Sequence, residues 1–272
     1  MSAGRRLGRL VLLALLAGSL GAGCAPPDRL AAARARALRY FATRVAASDP
    51  SWGSIFDYLH RRFGLEAVDA RGRPLRLPGA PAGARAEIAA IYRRAWDPAA
   101  VARPEQIASL ASPIDRITAS ALHCDRLGLP ADWEGVLREA SRAGAYALTH
   151  AALASQWTVE NGCRSFVELA DLQREQIALL EALAARREET IAAFEAGHDV
   201  WIEALAMLHY LGAGERVRSA WLDALLGAQR PDGGFARGRE DRSDPHATAL
   251  AVWVLTERLE PDRPPAPWLT PR

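Results

Sequence analysis

The chain predicts an all-α fold, and three observations carry that expectation. Apolar side chains recur at helical spacing in segment after segment between Leu30 and Leu259. No stretch alternates long enough to read as a convincing strand. Residues 220–259 spell a helix, a glycine corner and a returning helix. In that segment Trp221, Leu222, Leu225 and Leu226 share one helix face, and Pro231 stops the helix. Asp232-Gly233-Gly234 then supplies the positive-φ positions of a tight turn. Asp244-Pro245 is an N-cap followed by proline at the first helical position, which opens the return.

The first 24 residues are set apart from the rest. Arg5, Arg6 and Arg9 precede the short apolar run Leu10 to Ala17, and small residues then lead to Cys24. This predicts a secretory signal too short to span a membrane. Ala22-Gly23-Cys24 resembles the end of a bacterial lipobox, although its usual leucine stands one place early, at Leu20. The expectation is a lipoprotein acylated on Cys24 and held by that anchor in the cell envelope. Ala25 after the cysteine points to the outer membrane, facing the periplasm.

The expected elements follow in order. A first amphipathic helix runs from Leu30 to Ala47, and a second from Ser51 to Phe63, stopped at Gly64. Leu65 to Pro81 reads as an irregular loop. Helix resumes from Ala84 to Trp96, breaks at Asp97-Pro98, and returns from Glu105 to Leu110. Ser112-Pro113 opens a helix to Leu127, Pro130 to Trp133 starts the next, and Gly144 interrupts it. Further helices are expected over Ala147–Val159, Ser165–Ala193, His198–Leu211, Arg216–Ala228 and Asp244–Leu259. The organisation expected is a signal over 1–24, a helical region over 25–110, a hairpin-repeat domain over 111–260 and a proline-rich tail over 261–272.

Composition narrows the partners. The formal charge is +2, so nothing marks a nucleic-acid surface. All 34 basic residues are arginine, which makes an arginine cluster a poor guide to phosphate binding. Beyond Cys24 only Cys124 and Cys163 remain. In an oxidising compartment they would form one disulfide; two free thiols, or thiolate ligands beside His123, are the alternatives.

A repeat is visible in the helices. His150, His198 and His246 are separated by 48 and 48 residues, and each opens a similar apolar helix. If the repeat is structural, the three imidazoles face one cavity. There they could converge on a divalent metal, zinc being the first expectation. Asp199 and Asp244 stand beside two of the histidines, as carboxylates that orient an imidazole or as plain N-caps. Glu160 and Glu203 are further candidates for acid–base work.

The wording Gln229-x-x-Asp232-Gly233-Gly234-Phe235, followed by Thr248-Ala249-Leu250-Ala251, resembles the repeat of squalene cyclases, terpene cyclases and protein prenyltransferase β-subunits. The resemblance implies hairpins stacked into an α/α toroid, with Gln229 capping the next helix and Phe235 packed beside it. Counting back to Leu30 gives four or five hairpins, so an open ring is the alternative to a closed one. Asp244-Pro245-His246-Ala247-Thr248 is similar to the zinc-binding histidine context of the prenyltransferases, but their Asp-x-Cys element and the acidic motif of the cyclases have no counterpart. Terpene chemistry is therefore not expected. The expected function is an envelope-anchored helical lipoprotein whose polar pocket binds a small ligand, a glycan or a protein partner. A histidine-based, metal-dependent enzyme acting on an envelope glycan is the first alternative, and a structural scaffold the second.

Overall fold

The computed structural model describes residues 26–76, 85–240 and 242–269. The signal segment and Cys24 lie outside the described residues. Among the described residues there are thirteen α-helices: α1 Pro27–Arg44, α2 Pro50–Phe63, α3 Arg85–Tyr92, α4 Pro104–Ala108, α5 Pro113–Leu122, α6 Cys124–Leu127, α7 Trp133–Ala143, α8 Ala145–Glu160, α9 Phe166–Ala185, α10 Arg187–Ala193, α11 Gly197–Tyr210, α12 Ser219–Ala228 and α13 Pro245–Leu259. Among the described residues β-pairing is limited to the isolated bridges Val68–Pro74 and Phe235–Asp244. Among the described residues no helix is long and apolar enough to cross a membrane.

Local chemistry accounts for the boundaries. The Asp49 carboxylate accepts from Ser51 N–H at the start of α2, and Gly64 ends that helix with φ 69°. Ser112 accepts from Asp115 N–H ahead of α5, and Asp244 from Ala247 N–H ahead of α13. Ser165 and Glu168 form a reciprocal capping box at α9. The helix expected over Ser165–Ala193 is in fact two, parted at Arg186. There the carbonyl of Ala184 accepts from Trp201 Nε1 at 3.1 Å, and that of Leu183 accepts from Thr190 Oγ1. The Leu183 carbonyl also accepts from Arg186 N–H at 3.2 Å, a tight closing turn that ends the helix there.

The glycine corner forms, with two corrections. Gly233 has φ 91°, whereas Gly234 does not need a positive φ; it is held small because a Cβ would meet Ser243 at 2.4 Å. Gln229 does not cap the following helix. Its amide donates to the Gly233 carbonyl and to the Ala33 carbonyl of α1, both at 2.8 Å, so it pins the corner to the first helix.

A large apolar core runs from Leu30 to Leu269, and a small second cluster gathers Ile91, Ala102, Ile107, Leu110 and Ala119. The helices α5, α8, α11, α13 and α2 make a series in which each packs on the next. Helices α7, α9, α10 and α1 back this series from outside. The tail does not trail away. Arg61 donates to the carbonyls of Pro267 and Trp268, and Glu160 accepts from Leu269 N–H at 2.9 Å. Trp268 is thereby seated against Tyr58, Trp157, Tyr210 and Trp253. Cys124 and Cys163 are joined in a disulfide that ties α6 to the turn after α8. His123 is buried beside it and bonds the Ile91 carbonyl through Nε2, so the thiolate-ligand alternative is set aside.

Candidate functional site

The five helices of the inner series enclose one cavity of about 720 Å³, with α3 and Arg237 completing its wall. The size is typical of small-molecule sites. Its lining follows from helical geometry. On α8 it takes Tyr146, His150, Leu153 and Trp157; on α11, Asp199, Glu203 and Met207; on α13, His246, Leu250 and Trp253. Each set recurs every three or four residues, which is one stripe along one helix face. The first member of each stripe sits in the first turn or so of its helix, so the polar residues gather where the helices begin.

The central group is a carboxylate. Asp199 is 1% exposed. It accepts from His246 Nδ1 at 2.9 Å and from the Tyr146 hydroxyl, and Arg237 Nε lies 3.9 Å away. Its own N–H donates to the Arg237 carbonyl, fixing the start of α11. Burial alone would raise the Asp199 pKa, but His246 and the Tyr146 hydroxyl overcome that and hold it below the usual carboxylate range. Burial likewise works against a charged His246, yet Asp199 raises its pKa to about 9. The pair is therefore a carboxylate and an imidazolium at neutral pH. The Tyr146 pKa is raised by burial and by the adjacent Asp199, so its hydroxyl remains a donor.

A second imidazole stands one turn further along α8. His150 Nδ1 donates to the Tyr146 carbonyl at 2.9 Å, and Glu203 Oε1 lies 3.7 Å from the same nitrogen. Glu203 accepts from Thr149 Oγ1 at 2.9 Å and is almost fully buried. That burial raises its pKa, against the opposing pull of His150 and His246. In both histidines Nδ1 is committed to an oxygen of the protein, which leaves Nε2 as the nitrogen available to a ligand.

The histidine trio of equal spacing does not assemble. His150 and His246 share the cavity, while His198 lies outside its lining, among the charges of Arg187, Glu188, Glu240 and Arg230. The reason is one residue of register. The position that meets Tyr146 and His246 is Asp199, and a residue one step earlier points about 100° away around the helix. A three-histidine zinc centre is thus excluded by the position of His198. Asp199, Asp244 and His246 do bring ligand atoms within 4.8 Å of one another. However, Asp244 Oδ1 is bonded to the Ala247 N–H, and a proton on His246 Nδ1 occupies the contact with Asp199. The set fits a shared proton better than the short bonds of zinc.

Other residues of the site were not singled out by sequence. Tyr146 was hidden behind the Gly144 break, although that break is its signal. Gly144 has φ 75° and Ala145 φ 49°, the one positive-φ non-glycine among the described residues, and this strained entry sets Tyr146 at the head of α8. Arg237 and Trp268 come from a loop and a tail, and nothing local announced them. Glu160, by contrast, belongs to the seating of the tail: it bonds Tyr210 and Leu269, and it does not line the cavity. Compared with family models, characterised proteins and solved structures, the chain matches none.

Proposed function

We propose that the cavity is the active site of an acid–base enzyme that cleaves a C–O bond in an envelope saccharide or saccharide conjugate. The observation that carries the reading is the pair of anchored histidines, His150 and His246, with Asp199 charged behind one and Glu203 buried behind the other. His246, protonated and oriented by Asp199, donates a proton from Nε2 to the departing oxygen. His150, its Nδ1 proton committed to a carbonyl, offers the Nε2 lone pair to take a proton from the attacking water or from the substrate carbon. A proton donor and a proton acceptor held on facing helices are the parts that acid–base catalysis needs. Polar groups at the helix starts suit a ligand rich in hydroxyls. The α/α-toroid arrangement, the anchor on Cys24 and the envelope location belong to the same proposal, supported by the inner series of helices, by the sequence before Cys24 and by the disulfide.

The test is a panel of nitrophenyl glycosides and nitrophenyl esters incubated with the purified protein. The parent should release nitrophenol from one class, and His246→Gln and His150→Gln should each reduce kcat by about 10²–10⁴-fold with the fold intact. A parent inert on both classes that still binds glycosides would leave a binding pocket in place of an enzyme.

A further inference from the structure

In the polar cluster of the cavity, the side chains that a ligand can touch carry nitrogen. Arg237 is 54% exposed, His246 27% and His150 24%. The carboxylates stand behind them, Asp199 at 1% and Glu203 at 6%. Asp49, Asp115 and Asp244 also line the cavity. Oδ1 of Asp49 and of Asp244 each accepts an N–H of its own helix, from Ser51 and Ala247, and Asp115 lies in the first turn of α5. The positive ends of those three helices offset these charges. Arg237 is less well matched. It comes no nearer to Asp199 than 3.9 Å, and that carboxylate already accepts from His246 and from Tyr146.

The backbone holds this arginine in place. Its carbonyl accepts from Asp199 N–H at 2.9 Å, and Phe235 N–H two residues earlier donates to Thr248 Oγ1 at 2.9 Å. Its neighbours Ala236 and Gly238 are buried, and a Cβ on Gly238 would meet the Glu195 carbonyl oxygen at 1.9 Å. Arg237 is therefore a single open guanidinium on a pinned segment and not one of a surface cluster. Its planar fork matches a carboxylate or a phosphate, which it can grip through two parallel N–H bonds.

We infer that the ligand is an acidic saccharide whose anionic group is taken by Arg237. This rests on the saccharide reading above and deepens it. Arg237 and His246 approach the same Asp199 carboxylate, so the anion sits close to the oxygen that His246 protonates. The buried Asp199 holds both cations while keeping its own charge away from the ligand.

The test is calorimetric titration of the purified protein at low ionic strength with methyl glucoside, methyl glucuronide, glucose 6-phosphate and cyclohexanecarboxylate. At least one of the two acidic sugars should bind about tenfold or more tighter than methyl glucoside. Which of them does so tells a carboxylate from a phosphate. Arg237→Gln should bring the acidic sugar down to the level of methyl glucoside and leave methyl glucoside as it was. Arg237→Lys should restore part of the preference, because it returns the charge without the fork. Binding is read without turnover, so failure of the catalytic reading does not touch this result. Cyclohexanecarboxylate that binds as tightly as the glucuronide, and loses that binding in Arg237→Gln, would keep the anion site and remove the saccharide reading. Equal affinity for neutral and acidic sugars overturns the inference. So does the absence of measurable binding by any of the three anions, or a folded Arg237→Gln protein that keeps the preference.

Discussion

Asp199 and His246 meet at 2.9 Å across α11 and α13, the imidazole donating from Nδ1 to a carboxylate that is almost wholly buried. Folded His246 titrates near 9, above its ordinary 6.5, so between those values the native state keeps a proton that the unfolded chain releases. The stability this pair contributes is complete below about pH 6.5 and is lost as pH rises through about 9. The melting temperature should fall across that window, and His246→Gln should remove this component of the fall. A parent with a level Tm from neutral pH to above 9 would refute the charged pair.

Asp199→Ala should be more harmful than an ordinary polar substitution. It strands the Tyr146 hydroxyl and leaves His246 without its counter-charge, and removing one partner of a buried pair costs about 3 kcal/mol or more. Denaturant unfolding measures the loss. A change under about 0.5 kcal/mol, the size of a surface substitution, would show that the network is not held as described.

Ala145 occupies a left-handed conformation at the entry to α8. Ala145→Gly should therefore raise stability by about 1 kcal/mol, by relieving a Cβ that disfavours φ 49°. If Tyr146 depends on that rigid entry, the same variant should lower kcat. Thermal melts and the nitrophenyl assay read the two effects separately.

The corner after α12 is locked by space and by one amide. A Cβ on Gly233 would lie 2.3 Å from the Arg36 carbonyl oxygen, and Gln229 bonds both that turn and α1. Gly233→Ala should cost more than the roughly 1 kcal/mol of an unconstrained glycine change, and Gln229→Leu about 1–3 kcal/mol through the carbonyls it strands. If both variants melt like the parent, the corner does not anchor α13 to α1.

Cys124 and Cys163 are 39 residues apart in sequence, and closing a loop of that size is worth about 4 kcal/mol on the chain-entropy model. Reduction, or Cys163→Ala, should lower the denaturant midpoint accordingly. An unchanged midpoint in reductant would show that the bridge is not formed in solution.

The chain's own spacing was enough to determine the all-α class, most helix starts and the glycine corner. Those features are local: a cap such as Ser112 or Asp244 and an apolar face such as that of α12 need only their neighbours in sequence. The break at Arg186 was not legible, because the Ala184 carbonyl at that point is taken by Trp201, which arrives from another helix. The site was half legible. His150, His246, Asp199 and Asp244 were marked by type and position, yet the equal spacing of 48 residues chose His198 where the fold uses Asp199. A one-residue offset is invisible to a count along the chain but turns a side chain through about 100° on a helix. Tertiary structure alone placed Trp268 in the cavity lining and Arg237 beside Asp199. Both contacts are decided by how a loop and a tail dock on helices distant in sequence, which no local pattern of residues encodes.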